Sequence, residues 1–535
     1  MPAAPRTNRQ KPTCSCSPVA IFAVGLILAQ AVIFNIGVNF LHRSSLPSAP
    51  QNHPAKVPVR GFQRTRKTKT RKRAAPDPNA DGNFSGYPIY FKQEKEIFTS
   101  PHCVGENYQE GKSWMHRSCK FNFFCFDAST KDFVVFQSPS EEKIYSHLDK
   151  RPFVDVSQSY LKHNTTHTNT VALGGINLKW TMRENGVPRM EWFPEIRSLD
   201  PEQSLSYYEL PPNVVMLPFH SMNGANPGHL VWDDFLPLFT LLTMYQLEEE
   251  SHLLMMRFVL KGERGLWASC DFKDEKREDC EKMHKKFLPL MMGTDPIHDL
   301  ATTEKFHFEP KEPGKSQLIC ARHGLAGIGA LTDHGTEKTH GWEEDDYKIT
   351  HNHGRGGMFY EFRNYMMTNI GLPLEYNHKP PFRIVFSEKS SNIPTRNIDF
   401  TSQIDVLRKS FNPKYVSVES YVFKDLSLAE QVEIASQTSI FITGCGGGAV
   451  TAMFLPKGAS VLLYYLEDGG LKGGRESGKP ARLDWDLFNN LAYLKVHWLP
   501  KRTMHKEADL RSLAFLVQHE LDGLSREKSY DKLFH

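Results

Sequence analysis

The chain has 535 residues, of which 40% are hydrophobic and 11% aromatic. This composition is typical of a globular protein with a sizeable core and excludes a disordered chain. The net charge of +4 is unevenly distributed, because residues 1–73 hold thirteen Lys or Arg and no Asp or Glu. Residues 74–535 therefore carry 52 basic and 61 acidic side chains. This larger part is mildly acidic, so charge gives no reason to expect binding to nucleic acid.

The first predicted element is an apolar run from Val19 to Leu41. Its 23 residues include no charged side chain, and as a helix they would cross about 30 Å of hydrocarbon. The alternative is a cleaved signal peptide, but the apolar part of such a peptide usually has roughly 7–15 residues. We therefore expect a retained transmembrane signal-anchor at residues 19–41, with residues 1–18 as a cytosolic tail.

The orientation of this span is not decided by charge, since basic residues flank it on both sides. Two N-glycosylation sequons, at Asn83 and Asn164, favour a lumenal position for the rest of the chain. Three closely spaced cysteines, Cys103, Cys119 and Cys125, suit an oxidising lumen. We expect a single-pass type II protein of the Golgi or endoplasmic reticulum membrane.

Residues 42–86 are predicted to form a flexible stem. They include the basic run Arg60–Arg73, which we interpret as a solvated segment. A dibasic processing site that releases the following part is the alternative.

The first globular domain is predicted to span residues 87–379. Its start, residues 87–127, is rich in Phe, Tyr and Cys, which favours strands tied by disulfides. The segment Val214–His220 predicts a strand that runs into a loop. A helix should follow from Phe235 and continue towards Leu260, with Pro237 in its first turns, where proline is tolerated.

The second domain is predicted at residues 380–500, where strand-like and helix-like segments alternate. Such alternation indicates βαβ units and a parallel sheet, so the fold class is α/β. Residues 501–535 contain helical spacing from Asp509 to Ser525 and should pack back on the fold. The predicted segments are the strands 383–387, 415–423, 439–443 and 461–466 and the helix 426–438.

A polar stretch with four histidines, from His334 to His353, lies next to several acidic residues. The spacing fits neither a helix face nor a usual zinc-ligand pattern. We interpret the stretch as a surface loop and expect no metal there. The turn Gly354–Gly357 beside it is a weaker candidate for a phosphate contact.

The most informative local feature is the glycine run Gly444–Gly448, interrupted only by Cys445. It follows the strand 439–443 and precedes an apolar segment. A strand, a glycine turn and a helix start direct free backbone N–H groups to one point, which is a ready site for a diphosphate. The alternative is that the glycines only allow close packing of helix on strand.

A second feature is Asn226-Pro227-Gly228-His229, followed by Asp233 and Asp234. Paired carboxylates near a helix start can simply be stabilised by its dipole. One of them can also act as a general base, removing the proton of an acceptor hydroxyl during sugar transfer.

Together these motifs resemble those of glycosyltransferase family 61, which includes plant xylan arabinosyl- and xylosyltransferases and animal protein O-linked N-acetylglucosaminyltransferases. The family's N-x-x-H-x-x-x-D signature falls on Asn226, His229 and Asp233, and its L-P-L-F-like continuation falls on Leu236–Phe239. Two further blocks match in the expected order. They lie at Cys103 with Cys119–Phe121, and at Glu430-Gln431, residues 439–443, the glycine run and Phe454–Ala459.

The resemblance implies a GT-B-like fold of two facing Rossmann-type domains, with the nucleotide sugar held mainly by the second. It implies inversion of the anomeric centre, no obligatory metal or other cofactor, and a UDP-sugar as the expected donor. Asp233 would be the base, and His229 would orient the acceptor or that carboxylate. Arg396, Cys445, Gly446, Gly447 and Gly448 would contact the donor diphosphate. The acceptor would be a glycan or glycoprotein.

The sequence departs from the family pattern at three positions. Cys445-Gly446 stands where many members have His-Gly, Glu388 stands where an Arg is common, and Leu463 stands where a Glu is usual. We expect an altered donor preference rather than loss of activity.

Two other functions remain open from the sequence. One is a catalytically inactive lumenal glycan-binding or scaffold protein, which the three departures favour. The other is a lumenal metal-dependent hydrolase built on the His334–His353 stretch. Of the cysteines beyond the predicted membrane span, Cys445 is expected to stay outside any disulfide.

Overall fold

The computed structural model describes residues 77–104, 118–137, 171–172, 191–192, 194–200, 202–219, 221, 224–248, 252–259, 270, 274–293, 301–327, 356–388, 397–465 and 487–525. The predicted signal-anchor and most of the predicted stem lie outside these ranges. So does the histidine stretch from His334 to His353. The predicted end of the stem at residue 86 is wrong, because Gly82–Phe84 already forms a strand of the first sheet. None of the helices in these ranges is both long and apolar enough to cross a lipid bilayer.

Most strands of the N-terminal half join one 11-stranded sheet, in which β13 is central. β4 pairs along one edge of β13, while β9 and β10 pair with successive parts of its other edge. Strands β6 and β7 form a separate pair. The strands in chain order are β1 (Gly82–Phe84), β2 (Tyr87–Glu94), β3 (Ser100–Val104), β4 (Ser118–Asp127), β5 (Asp132–Gln137), β6 (Val171–Ala172), β7 (Glu191–Trp192), β8 (Glu195–Ser198), β9 (Leu205–Glu209), β10 (Val214–Phe219), β11 (His252–Arg257), β12 (Phe308–Pro310) and β13 (Leu318–Ala326).

The prediction of two Rossmann-type domains is corrected here for the N-terminal half. Only part of its sheet is parallel: β10 runs parallel to β11 and β13, and a helical connection joins β10 to β11. Antiparallel pairs, such as β4 with β13 and β2 with β9, make up much of the rest. The N-terminal half therefore contains a mixed sheet, in which β10, α2 and β11 form a βαβ unit.

Helices cover these sheets, and the one after β10 is shorter than expected. It ends at Met244, and the predicted continuation to Leu260 is wrong because residues 252–257 form β11. Pro237 does lie in the first turn of its α-helical part. The helices are α1 (Pro227–His229), a π-helix (Leu230–Phe235), α2 (Leu236–Met244), α3 (Asp274–Phe287), α4 (Pro289–Met292), α5 (Gly356–Asn369), α6 (Thr401–Ser410), α7 (Leu428–Ser436), a 3-10 helix (Gly447–Phe454) and α8 (Glu507–Ser525).

The C-terminal half contains the predicted parallel sheet. Its order is β15-β14-β16-β17-β18, and every neighbouring pair is parallel. The strands are β14 (Phe382–Ser387), β15 (Val416–Tyr421), β16 (Ile440–Gly444), β17 (Ser460–Tyr465) and β18 (Lys495–Pro500). This is the doubly wound order in which the chain leaves the first strand in one direction and later returns to its other side.

Apolar residues on both faces of the C-terminal sheet are covered by helices. On one face, α6 and the predicted C-terminal helix α8 bury Leu407, Leu513 and Val517 against the strands. On the other face, α7 and the 3-10 helix share one core with α2, β10 and β11 of the N-terminal half. This shared core places the loop after β10 beside the loop after β16.

Disulfides tie the N-terminal half, as its cysteine content suggests. Cys125 on β4 is bonded to Cys320 on β13, and Cys270 is bonded to Cys280. Cys119 is also in a disulfide, and the strand register places Cys103 opposite it. Cys445 keeps its thiol, which confirms the expectation that it stands outside any disulfide.

Candidate active site

The loop after β10 turns sharply into a helical segment at Asn226. The Asn226 backbone is extended, and its side-chain oxygen accepts a hydrogen bond from the Gly228 N–H at 2.9 Å. Pro227 occupies the first turn, where a missing N–H costs nothing. Asn226 is thus a helix N-cap, the local reason why the helical segment starts here.

The helical segment widens into a π-helix over Leu230–Phe235, which contains both predicted carboxylates. Such turns are rare and occur often at functional sites. Asp234 is 1% exposed and accepts a hydrogen bond from Ser221 Oγ, so it is part of the fold's interior. Asp233 lies in the same turn, with its side chain outside the described part of the chain. His229, at the end of α1, is half-buried.

The loop that carries Asn226 rests on a disulfide and a buried histidine. Gly224 donates its N–H to Cys270 Sγ at 3.2 Å. A Cβ built on Gly224 would lie 2.3 Å from Cε1 of His284, so the ring packs directly on this backbone. Nδ1 of His284 is hydrogen-bonded to the Cys280 carbonyl at 2.6 Å. The Cys270–Cys280 disulfide and His284 therefore hold Gly224 in place, two positions before Asn226.

The glycine run forms a turn between β16 and the 3-10 helix, as predicted. The Cys445 N–H donates to the Tyr464 carbonyl at 2.9 Å, which fixes the turn to the neighbouring strand β17. Gly446 has φ +125°, which an L side chain rarely adopts, and a Cβ there would meet nothing within 4 Å. Residues 445–448 are all partly exposed. Backbone N–H groups are thus presented beside open space at the start of a helix.

The two predicted motifs touch each other. A Cβ built on Gly447 would lie 2.0 Å from Asn226 Oδ1, and one built on Gly228 would lie 3.0 Å from Gly447 Cα. Such close approaches are possible only because Gly228 and Gly447 both lack a side chain. The structure therefore brings Asn226 and Gly228 into contact with Gly447, which lies more than 200 positions later in the sequence.

Other predicted positions are placed less directly. Arg396 lies outside the described residues. Glu388 follows β14 and accepts a hydrogen bond from Ser420 on β15. Leu463 is fully buried in β17 and belongs to the core shared by both halves. A carboxylate at that position would have to be buried, so in this chain the position serves packing.

Sequence reasoning missed Arg363, which supports the far end of the glycine-turn helix. This fully buried side chain on α5 donates from Nε to the Leu455 carbonyl at 3.0 Å and from Nη2 to the Phe454 carbonyl at 3.3 Å. Burial lowers the pKa of its guanidinium, an effect opposed by the phenol groups of Tyr493 and Tyr360. No sequence pattern around Arg363 marks it, because its partners are carbonyls remote in sequence.

Sequence reasoning also missed Ser387 as a separate candidate. It is the last residue of β14 and is 2% exposed.

Within the described residues, no three or more His, Cys, Asp or Glu side chains lie close enough together to hold a metal ion.

Comparison with known proteins supports the resemblance seen in the sequence. Residues 341–462 match the family model described as Glycosyltransferase 61. The protein O-linked-mannose beta-1,4-N-acetylglucosaminyltransferase 2 of Xenopus laevis is 22% identical over 359 residues, which cover 66% of this chain and 50% of that protein. The protein of the same name from Homo sapiens is 22% identical over 362 residues, with the same two shares. The chain thus spans about half the length of the curated relatives it matches.

One solved structure covers most of the chain. The bacterial iron-containing dodecameric glycosyltransferase TibC from enterotoxigenic E. coli covers 86% of this chain and 99% of its own, at 10% identity. Its TM-score of 0.23 is too low to support a common fold.

Proposed function

We propose that this chain, whose residues 341–462 match glycosyltransferase family 61, is an inverting glycosyltransferase that uses a nucleotide sugar as donor, namely a UDP-sugar. The acceptor is a hydroxyl of a glycan or glycoprotein. The observation that carries this proposal is the contact of Asn226 and Gly228 with Gly447. It puts the segment that holds the candidate base beside the turn that presents backbone N–H groups to a diphosphate.

The donor half of the proposed site is the glycine turn. In open parallel sheets, ligands bind beyond the carboxyl ends of the strands, where the order of strands reverses. Here that position lies between β14 and β16, and the glycine turn follows β16. The N–H groups of the turn, together with Arg396, would stabilise the diphosphate as it leaves.

The acceptor half is the segment from Asn226 to Asp233. The acceptor hydroxyl oxygen attacks the anomeric carbon as the bond to the diphosphate oxygen breaks. The hydroxyl proton passes to the Asp233 carboxylate, and the bonding electrons leave with the nucleoside diphosphate. A single displacement by the acceptor oxygen, with one carboxylate as the general base, inverts the anomeric centre. Asn226 holds the start of the segment through its N-cap, and His229 orients the acceptor or the base.

In this proposal the two halves correspond to the facing domains of a GT-B-like enzyme. Each contributes a loop at the carboxyl end of a parallel strand, β10 in the first half and β16 in the second. No resident metal is needed, because the N–H groups and Arg396 take over the stabilisation of the leaving group.

We further propose that the enzyme works in the lumen of the secretory pathway, in the Golgi or endoplasmic reticulum. The disulfides Cys125–Cys320 and Cys270–Cys280 support this location, since disulfides persist mainly in oxidising compartments. The apolar run at residues 19–41 would supply the membrane anchor.

A second candidate is a lumenal glycan-binding protein that has lost the donor site. The departures from the family pattern favour it, because Glu388 lacks the positive charge that an arginine would bring to the donor site and Leu463 is an apolar core residue.

A thermal-shift experiment with UDP, GDP and several UDP-sugars, with and without EDTA, separates the candidates. Stabilisation by one nucleotide that EDTA does not change supports the transferase. No response to any nucleotide supports the glycan-binding protein, while destabilisation by EDTA alone indicates a metal-dependent enzyme.

A further inference from the structure

Ser387 carries a buried hydroxyl at the end of β14. It is 2% exposed, and its Oγ has no partner in the structure of the described residues. A buried polar group left unpaired destabilises a fold, so nearly all such groups find a partner. A hydroxyl that stays unpaired in the protein alone is thus a candidate to bind a ligand.

The side chain of Ser387 lies on the face of the sheet that carries the glycine-turn helix. Side chains alternate along a strand. Phe386 packs with Ile442 on the α6 and α8 side, whereas Val385 packs with Phe441 on the opposite side. Ser387 follows Phe386, so it shares the face of Val385. The 3-10 helix Gly447–Phe454 buries Ala449 and Val450 on that same face.

Ser387 also lies where the strand order reverses. β14 pairs with β15 on one side and with β16 on the other, and the register pairs Phe386 with Ile442. The next position on each strand is therefore Ser387 beside Thr443, one residue before the glycine run. The Thr443 hydroxyl donates to the Gly444 carbonyl at 3.3 Å. Of these two hydroxyls, only that of Ser387 is left for a ligand.

Glu388 does not occupy this position. As the next residue, it extends to the opposite face, and its carboxylate accepts the hydrogen bond of Ser420 on the outer strand β15. Its negative charge is thus held on the β15 side, away from β16 and the turn.

From these observations we infer that Ser387 is a further donor-binding residue, whose hydroxyl donates a hydrogen bond to an oxygen of the diphosphate bound at Gly444–Gly448. This inference rests on the proposed transferase function and adds a specific contact to it. An oxygen of the bound diphosphate would accept the hydrogen bond for which the described residues offer Ser387 no partner.

The test is Ser387→Ala, with Ser460→Ala as the matched control. Ser460 is equally buried in the same sheet, but its Oγ donates to Glu520 Oε2 at 2.6 Å. Ligand-free Ser387→Ala should melt roughly 1–3 °C higher than the wild type, because the substitution removes an unpaired polar group. Ser460→Ala should melt lower, because it leaves Glu520 with one donor fewer.

Affinity for UDP and for inorganic pyrophosphate is measured on all three proteins by calorimetry. Ser387→Ala should bind both about tenfold more weakly, the loss expected for one hydrogen bond to a charged group. Ser460→Ala should bind both as the wild type does. In the transfer reaction, Ser387→Ala should raise the KM for the donor more than it lowers kcat.

Each other result overturns the inference. Unchanged UDP affinity in Ser387→Ala removes the contact, while a loss for UDP but not for pyrophosphate removes its assignment to the diphosphate. A lower melting temperature of the ligand-free variant means that the hydroxyl is satisfied within the fold. If the wild type binds neither UDP nor pyrophosphate, the proposed transferase function fails together with the inference.

Discussion

Neighbouring glycines in the turn after β16 are required for different reasons. Gly446 is needed for its backbone, because its φ of +125° strains any residue with a Cβ. Gly447 is needed for space, because Asn226 Oδ1 occupies the place of a side chain. The first requirement shapes the anion-binding turn, and the second lets the N-terminal half touch it.

Gly447→Ala tests this second requirement. The new Cβ would lie 2.0 Å from Asn226 Oδ1, so the two loops must move apart. We expect transfer to fall by at least tenfold, since displacements of about 1 Å at a reacting centre cost up to 10²-fold. The measurement is kcat/KM for donor and acceptor.

Gly357→Ala is the control for that variant. A Cβ on Gly357 meets nothing within 4 Å, and the residue lies in the first turn of α5, where alanine is favoured. It should keep wild-type activity. Equal activity of the two variants would contradict a tight contact at Gly447.

Asp233→Asn tests the proposed base. An amide cannot accept the proton of the acceptor hydroxyl, so we expect kcat to fall by about 10²–10⁴. The melting temperature and UDP affinity should stay near those of the wild type. Near-normal turnover would remove Asp233 from this role.

Substitution of the neighbouring Asp234 should affect stability, whereas substitution of Asp233 should affect turnover. Asp234 is buried and accepts the hydrogen bond of Ser221 Oγ. Asp234→Ala should therefore lower the free energy of unfolding by about 1–3 kcal/mol. Urea unfolding curves of the two variants thus separate a chemical role from a structural one.

Elements with clear periodicity were predictable from sequence. The strands near Phe386, Ile442 and Leu462 and the helices α7 and α8 form where the pattern places them, because alternation of buried strands and amphipathic helices is a local property. The helix after β10 was predicted too long. Leu253–Met256, in the middle of β11, is a continuous apolar run, which fits a buried strand and a buried helix equally well.

The motifs of the candidate site were predictable from the sequence, whereas the residues that hold these motifs in place were not. Asn226 and Gly447 belong to local patterns of turn and helix-start residues. The roles of Arg363 and His284 depend on contacts with residues far away in sequence. The role of Ser387 depends on its buried hydroxyl having no hydrogen-bond partner among the described residues. Such roles follow from tertiary packing, so no local pattern reveals them.

Arg363→Lys tests the support of the glycine-turn helix. Lysine cannot reproduce the fork that donates to Leu455, Phe454 and Leu374, so carbonyls in the interior lose donors. We expect the free energy of unfolding to fall by about 1–3 kcal/mol. Amide hydrogen exchange should rise selectively in residues 447–455.

The same substitution at Arg383 is the control. Arg383 pairs with Glu419 at 2.6 Å, but both side chains are partly exposed, and such pairs contribute only about 0–1 kcal/mol. Arg383→Lys should therefore change stability much less. A similar loss in both variants would show that Arg363 has no special structural role.

At the scale of the whole molecule, the first sheet joins segments that are distant in sequence. β1 pairs with β12, and β4 pairs with β13. Local patterns carry no information about such partners, which explains why the mixed sheet was not predicted. In the second half, β14 and β15 are each followed by a crossover helix and β16 by the 3-10 helix, so the topology of this part follows from the order of elements.

The Cys125–Cys320 disulfide spans 195 residues between β4 and β13. Closing so long a loop restricts the unfolded chain strongly, so Cys125→Ala with Cys320→Ala should cost about 2–5 kcal/mol. Thermal unfolding of the wild type in strong reductant should show at least as large a loss, because the Cys270–Cys280 bond is reduced as well. Cys445→Ala should shift the transition far less, because Cys445 forms no disulfide. Equal stability of the double variant and the wild type would contradict the expected contribution.

The short disulfide Cys270–Cys280 determines how this protein should be produced. It closes a loop of 10 residues directly beneath Gly224, two positions before Asn226. In protein produced in a bacterial cytosol these thiols would stay reduced, as would those of Cys125 and Cys320. The Asn226 segment would then lose its local support, in addition to the stability lost with the Cys125–Cys320 bond. Inactive preparations from such a host would report on the expression system, and a secretory host is the appropriate source for enzymology.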